Sequence, residues 1–118
     1  MIKGIGIDLI ELDRIEKLMN RKEKFIERIL GREEKKRLSQ FTNEKRRIEF
    51  VAGRFAAKEA YSKALGTGIG QAVSFQDIEI ISNEQGRPAV YINGEKKADI
   101  FVSISHSRDY AIAQIIIA

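Results

Sequence analysis

Apolar and polar positions divide the chain into three stretches. Residues 2–10 alternate, with Ile5, Ile7 and Leu9 on one face and Gly4, Gly6 and Asp8 on the other, as a strand does. Residues 12–40 are highly charged with helical periodicity, and breaks near Asn20 and Gly31 predict two or three short helices. Residues 43–65 read as one long helix that closes at Gly66, with the GTGIG run as its exit loop. The rest reads as β structure. Residues 75–81 form a strand, Glu84-Gln85-Gly86-Arg87 turns, and residues 89–92 form a second strand ended by Asn93-Gly94. Residues 99–105 and 110–117 then make a hairpin around Ser107-Arg108-Asp109. A strand, then helices, then antiparallel strands predicts an α+β fold. No repeat or Pro/Gly-rich linker interrupts it, so one domain over residues 1–118 is expected.

The long helix carries an anomaly. At about 100° per residue, Ile48, Val51, Ala52, Phe55 and Glu59 share one stripe. Four are apolar and the fifth is a carboxylate. An ionised Glu is seldom buried unless it is paired or binds a metal. Lys63, one turn on, offers an ion pair in the favourable order. Asp8 offers the alternative of a second acid. It shares its strand face with Gly4 and Gly6, which leave room for a ligand; the bland reading is a strand-end acid that caps the next helix. In the exit loop, Gly66, Gly68 and Gly70 can present N–H groups to a phosphate, although a Gly-rich helix exit is also an ordinary C-cap. Arg54, Lys58 and Lys63 precede it and add to the case for phosphate handling, with a solvated surface position as the bland reading for Lys58.

Composition narrows the chemistry. The chain has no cysteine, which excludes disulfides, a Cys-based zinc site and a thiol nucleophile. One histidine excludes a His-rich metal site. Any metal must then be held by oxygen, which favours a hard cation such as magnesium. A core is affordable at 43% hydrophobic residues, but 118 residues leave little chain for a deep cleft, so a site shared between subunits is expected. The start, MIKGIGIDLIEL, lacks the marks of a signal peptide, and no apolar stretch is long enough to span a membrane. A cytoplasmic location is expected.

Charge points to partners. Lys and Arg total 21 against 17 Asp and Glu, a net +4, which allows an acidic partner or a phosphorylated ligand. On the first helix Ile15, Leu18 and Met19 face inward, while Arg14, Lys17 and Arg21 share the other side; Lys22, Lys24 and Arg28 extend that basic region. Such a run is often only a solvated face. At the far end, residues 110–117 are apolar on both faces, so that strand is either central in a sheet or covered by a neighbouring subunit.

Several segments together resemble one family. They are Gly4-Ile5-Gly6-Ile7-Asp8, Gly53-Arg54-Phe55-Ala56-Ala57-Lys58-Glu59-Ala60, Lys63-Ala64-Leu65-Gly66-Thr67-Gly68, Ser74-Phe75-Gln76-Asp77-Ile78-Glu79-Ile80 and Val102-Ser103-Ile104-Ser105-His106. In order and spacing they resemble the holo-acyl-carrier-protein synthases, the small trimeric class of 4′-phosphopantetheinyl transferases. The resemblance runs end to end.

It implies an antiparallel sheet packed on one long helix, with short N-terminal helices. It implies transfer of 4′-phosphopantetheine from coenzyme A to a serine hydroxyl of apo-acyl carrier protein in fatty acid biosynthesis, leaving adenosine 3′,5′-bisphosphate. Asp8 and Glu59 match the family's magnesium ligands, and Glu59, directly or through a metal-bound water, is placed to accept the serine proton. Lys63 matches the lysine near the phosphates. Lys45, Arg46 and Arg54 resemble the cluster that contacts the nucleotide's phosphates, with Gly66, Thr67, Gly68 and His106 also on the coenzyme side. His106 is otherwise a simple turn residue. Arg14, Lys17, Arg21 and Arg28 become a docking face for an acidic carrier protein, and active sites between subunits of a homotrimer are implied. Two other classes compete. A basic nucleic-acid-binding module lacks a stacking face or a known motif. A non-catalytic subunit that binds coenzyme A leaves two ligand-facing acids unexplained.

Overall fold

One long helix and the strand beneath it organise the molecule. The computed structural model describes residues 1–66 and 74–118. Strand β1 (Gly4–Glu11) leads into three short helices, α1 (Leu12–Arg21), α2 (Phe25–Ile29) and α3 (Arg32–Leu38), and then into α4 (Glu44–Leu65). A 3-10 turn (Phe75–Asp77) precedes β2 (Ile78–Ser82), β3 (Pro88–Ile92) and the short β4 (Glu95–Lys96); β5 (Ile100–His106) and β6 (Tyr110–Ile117) follow. Among the described residues the strands make two antiparallel sheets, ordered β1-β6-β5 and β2-β3-β4. This is the α+β architecture expected.

Both ends of α4 are set locally. The Asn43 side chain accepts the Arg46 N–H at 3.1 Å, an N-cap. Gly66 takes a left-handed φ of 78°, and its N–H bonds the Ser62 carbonyl at the C-cap. From Ile48 to Tyr61, α4 is buried nearly all round, with β1 and β6 on one side and the short helices and β2 on the other. A helix sandwiched this way has no solvent stripe to pattern its sequence.

The alternation in β1 is real, but its glycine face does not leave the room for a ligand that was expected. The Gly4–Gly6 side holds no open space. A Cβ on Gly6 would collide with the Ala60 carbonyl, and one on Gly4 with the Ala64 carbonyl. The glycines let the α4 backbone lie directly on the strand. The apolar side is the outer one: Ile5, Ile7 and Leu9 are 57%, 52% and 60% exposed. Strand β6 is central, so pairing settles one of the two readings of its apolar faces. Its outer face continues the exposed surface. Ile5, Ile116 and Phe101 align across the three strands, and Leu9 pairs with Ile112 in the register beyond.

Residues 75–77 are not strand, as expected from sequence, but a 3-10 turn. The Asp77 carboxylate accepts from the Ser74 N–H at 3.2 Å and the Ser74 hydroxyl at 2.9 Å, which tightens the backbone before it can extend. Phe75 then stacks on Phe55 of α4, with ring centroids 5.9 Å apart. The Asn93-Gly94 turn leads into β4, which the sequence pattern did not signal. Among the described residues, no helix is long and apolar enough to cross a membrane.

Candidate active site

Asp8 lies on β1 opposite Ala113, on the side that faces α4. Its side chain is only 16% exposed. It caps no helix: Glu11 occupies the N-cap position of α1, with no side-chain bond. Lys63, on the last turn of α4, donates instead to Asp8 Oδ1 at 3.0 Å and to the Ile7 carbonyl at 3.0 Å. Lys63 therefore does not neutralise Glu59, the pairing that helix spacing alone offers. Among the described residues Glu59 makes no ion pair.

Glu59 is half-buried, and burial pushes its carboxyl above the ordinary value. The Asp8 charge adds to that rise, while Lys63 and Arg14 oppose it. Asp8, Glu59, Lys63 and Arg14 thus share one electrostatic neighbourhood, assembled from β1, α4 and α1. The Asp8 charge disfavours ionisation of Glu59, and a cation held by both carboxylates would relieve that cost. The described residues hold no cluster of three or more acids or histidines. Two oxygen donors nevertheless suit magnesium, which takes one or two carboxylates and completes its shell with phosphate oxygens and water.

A second group sits on another side of α4. Arg46, Arg54 and His106 line a cavity of about 360 Å³ with Arg37, Phe41, Glu49, Phe50, Ser82 and Gly86. Arg54 is nearly buried. It donates to the Ile80 carbonyl and the Ser82 hydroxyl, and its guanidinium lies 4.1 Å from the Phe50 ring centroid. Burial lowers its pKa to about 10, so it stays charged at neutral pH. His106 Nε2 lies 3.0 Å from the Glu49 carbonyl, so that nitrogen carries the proton. The small Gly53 lets His106 and Ile104 approach α4.

Not every sequence candidate joins these groups. Lys45 lines a different groove, with Glu11, Asp13, Glu16 and Asp109, because successive helix positions diverge by about 100°. Thr67 and Gly68, with Gly70, lie outside the described residues. Arg14, Lys17, Arg21 and Arg28 are all exposed on α1 and α2, and Lys17 is tied to Asp13 at 3.1 Å.

Three polar residues escaped sequence reasoning. Arg37 joins the arginine cavity from α3, where nothing in a basic run singles it out. Lys58, read as solvated, is wholly buried and pairs with the wholly buried Glu34 at 2.6 Å. The error follows from α4 having no solvent side at that turn. Burial pushes Glu34 up and Lys58 down, and their mutual attraction opposes both shifts. The available signal was Glu34 three residues after Gly31, the spacing of a capping box; its carboxylate does accept the Gly31 N–H.

With this geometry in place, comparison with known proteins is decisive. The model of the 4′-phosphopantetheinyl transferase superfamily matches residues 4–115. The chain belongs to that superfamily. It is 63% identical over 117 residues to a holo-acyl-carrier-protein synthase from Geobacillus sp. (strain WCH70), covering 99% of this chain and 97% of that one. Among solved phosphopantetheinyl transferases, it resembles the Bacillus anthracis str. Ames holo-acyl-carrier-protein synthase in complex with CoA (3′,5′-ADP). That likeness has a TM-score of 0.87 at 50% identity, covering 99% and 96% of the two chains. The Helicobacter pylori synthase in complex with coenzyme A superposes with a TM-score of 0.79 at 34% identity, covering 97% and 99%.

Proposed function

We propose that this protein transfers 4′-phosphopantetheine from coenzyme A to a serine hydroxyl of apo-acyl carrier protein. The products are holo-acyl carrier protein and adenosine 3′,5′-bisphosphate, and the setting is cytoplasmic fatty acid biosynthesis by one domain spanning residues 1–118. The observation that carries the reading is the Asp8–Glu59 neighbourhood beside Lys63, in a chain this close to named holo-acyl-carrier-protein synthases.

The serine oxygen attacks the phosphorus that bears pantetheine. The bond from that phosphorus to the bridging oxygen breaks, and its electron pair leaves on the adenosine-side phosphate. Asp8 and Glu59 would hold a magnesium ion, which would supply positive charge to offset that on the diphosphate. Glu59 accepts the serine proton as the general base. Lys63 has spent two donors on Asp8 and Ile7; the third is free for the leaving phosphate. Positioning and charge do most of the work, as in other phosphoryl transfers.

Arg46, Arg54, Arg37 and His106 hold the nucleotide phosphates, while Lys45 opens onto the other groove. Their cavity does not include Asp8, Glu59 or Lys63. Arg54 precedes Glu59 by five residues, which turns it about 140° round the helix. One coenzyme A is best held by acids of one subunit and arginines of the next. The exposed face of Ile5, Leu9, Phe101 and Ile112 supports this, since a large apolar patch marks a protein contact. A homotrimer closed on that face completes the site. The exposed Arg14, Lys17, Arg21 and Arg28 receive the acidic carrier protein.

The test is mass spectrometry of apo-carrier protein incubated with coenzyme A and magnesium. The reading expects the phosphopantetheine adduct, abolished by chelation. No adduct with any divalent ion would end it.

A further inference from the structure

Lys58 precedes Glu59 on α4 and has no part in the chemistry above. Its ammonium spends all three donors inside the protein: on the Ile29 carbonyl at 2.6 Å, Glu34 Oε1 at 2.6 Å and the Phe75 carbonyl at 2.9 Å. These oxygens belong to the end of α2, the start of α3 and the turn before β2. Glu34 is held in turn. Oε1 also accepts the Gly31 N–H at 3.0 Å, and Oε2 accepts the Ile80 N–H at 2.7 Å. One buried lysine therefore ties three segments to the helix turn that carries Glu59.

The packing around that turn gives the tie a purpose. From residue 56 to residue 60 the buried positions are Ala56, Ala57, Lys58 and Ala60. On the β1 side the contact is helix backbone on glycine. Small, smooth surfaces bring elements close but resist rotation poorly, because few side chains interdigitate. Within residues 56–60 the one long buried side chain is Lys58; Phe55, just before them, stacks on Phe75 and lies against Phe25 but makes no polar tie. Rotating a helix by about 10° swings a carboxylate about 6 Å from its axis by about 1 Å. A misplacement of about 1 Å at a reacting centre can cost on the order of a hundredfold in rate.

We propose that Lys58 is a positioning residue for Glu59: its ammonium, locked between α2, α3 and the turn before β2, sets the rotation of α4 and the aim of the Glu59 carboxylate towards the site shared with Asp8. The inference rests on the reading of Asp8 and Glu59 as a cation-holding pair. It adds that the pair is aimed from behind by a buried charge, and that Glu34 serves to seat that charge.

The test compares wild type with Lys58→Met/Glu34→Gln, which removes the lysine without stranding a buried carboxylate. Manganese affinity is read by electron paramagnetic resonance, coenzyme A affinity by calorimetry, and kcat and KM by carrier-protein transfer. All are taken at a temperature where both proteins are folded. Manganese affinity and kcat should each fall about tenfold or more, while coenzyme A affinity stays within about threefold. A variant that melts earlier but matches wild type in manganese affinity and kcat would overturn the proposal. If the double variant does not fold, Lys58→Arg carries the test. It keeps the charge, but its planar fork cannot meet the same three oxygens, so the same loss is expected and wild-type values overturn the proposal. A wild-type protein that neither binds manganese nor transfers would sink the acid-pair reading, and this inference with it. A wild type that does both while the variants match it removes the inference alone.

Discussion

Lys63 reaches across to β1 rather than back along its own helix: its Nζ sits 3.0 Å from Asp8 Oδ1, while Glu59, one turn earlier on α4, makes no ion pair among the described residues. This leaves the two carboxylates unequal. Asp8 is tethered by a lysine; Glu59 is half-buried and carries a raised proton affinity.

That inequality has a pH signature. A carboxyl whose folded-state pKa is raised binds its proton more tightly in the folded chain. It stabilises below the ordinary carboxylate value, and that contribution is lost as pH rises through the raised one. Glu59→Gln cannot ionise and escapes the loss. Without divalent ions, the Tm of Glu59→Gln minus that of wild type should become more positive between about pH 4 and pH 7. Differential scanning fluorimetry checks it; a difference that shrinks over that range contradicts the assigned environment.

The β1 glycines are set by backbone contact. Gly6→Ala drives a methyl group into the Ala60 carbonyl, which no rotamer can relieve. Urea unfolding should show a loss of about 2 kcal/mol or more, at the upper end of overpacking costs. A loss under about 0.5 kcal/mol would mean α4 does not lie on the strand as described.

The basic face of α1 is expected to act on association. Arg21 is the cleaner probe, because the Arg14 charge is also felt at Glu59. Arg21→Glu should raise KM for carrier protein about tenfold and leave KM for coenzyme A within about twofold, and added salt should do the same to wild type. Equal effects on both substrates would move docking elsewhere.

The exposed sheet face makes an assembly prediction. Phe101→Arg puts a charge in the row it shares with Ile116 and Ile5. Sedimentation should show the wild type as a trimer and the variant largely as smaller species, with activity lost in parallel. A variant that keeps wild-type mass and rate would leave that face without a partner.

Much of this was legible in the sequence, for identifiable reasons. Asn43 and Gly66 announce the ends of α4 through cap chemistry, which is local. Glu59 stands out in the sequence as a carboxylate on an apolar stripe, and the structure finds it half-buried within reach of the Asp8 charge. What was misread depended on non-local packing. Alternation in β1 shows that two faces differ but not which faces the core; here the glycines are inside and Ile5, Ile7 and Leu9 outside. Lys58 looked solvated because helical periodicity presumes a solvent side, which α4 lacks at that turn. Arg37 and Lys45 could not be sorted, since tertiary direction decides which arginine cavity or groove a basic side chain reaches.

The central claim is that Asp8 and Glu59 act together on one divalent cation and the diphosphate it carries. Steady-state transfer by Asp8→Asn and Glu59→Gln, titrated with magnesium, tests it most directly. Each variant should lose about a hundredfold or more in kcat and need more magnesium, with coenzyme A affinity and Tm near wild type. Either variant turning over at the wild-type rate, with unchanged magnesium dependence, would contradict it.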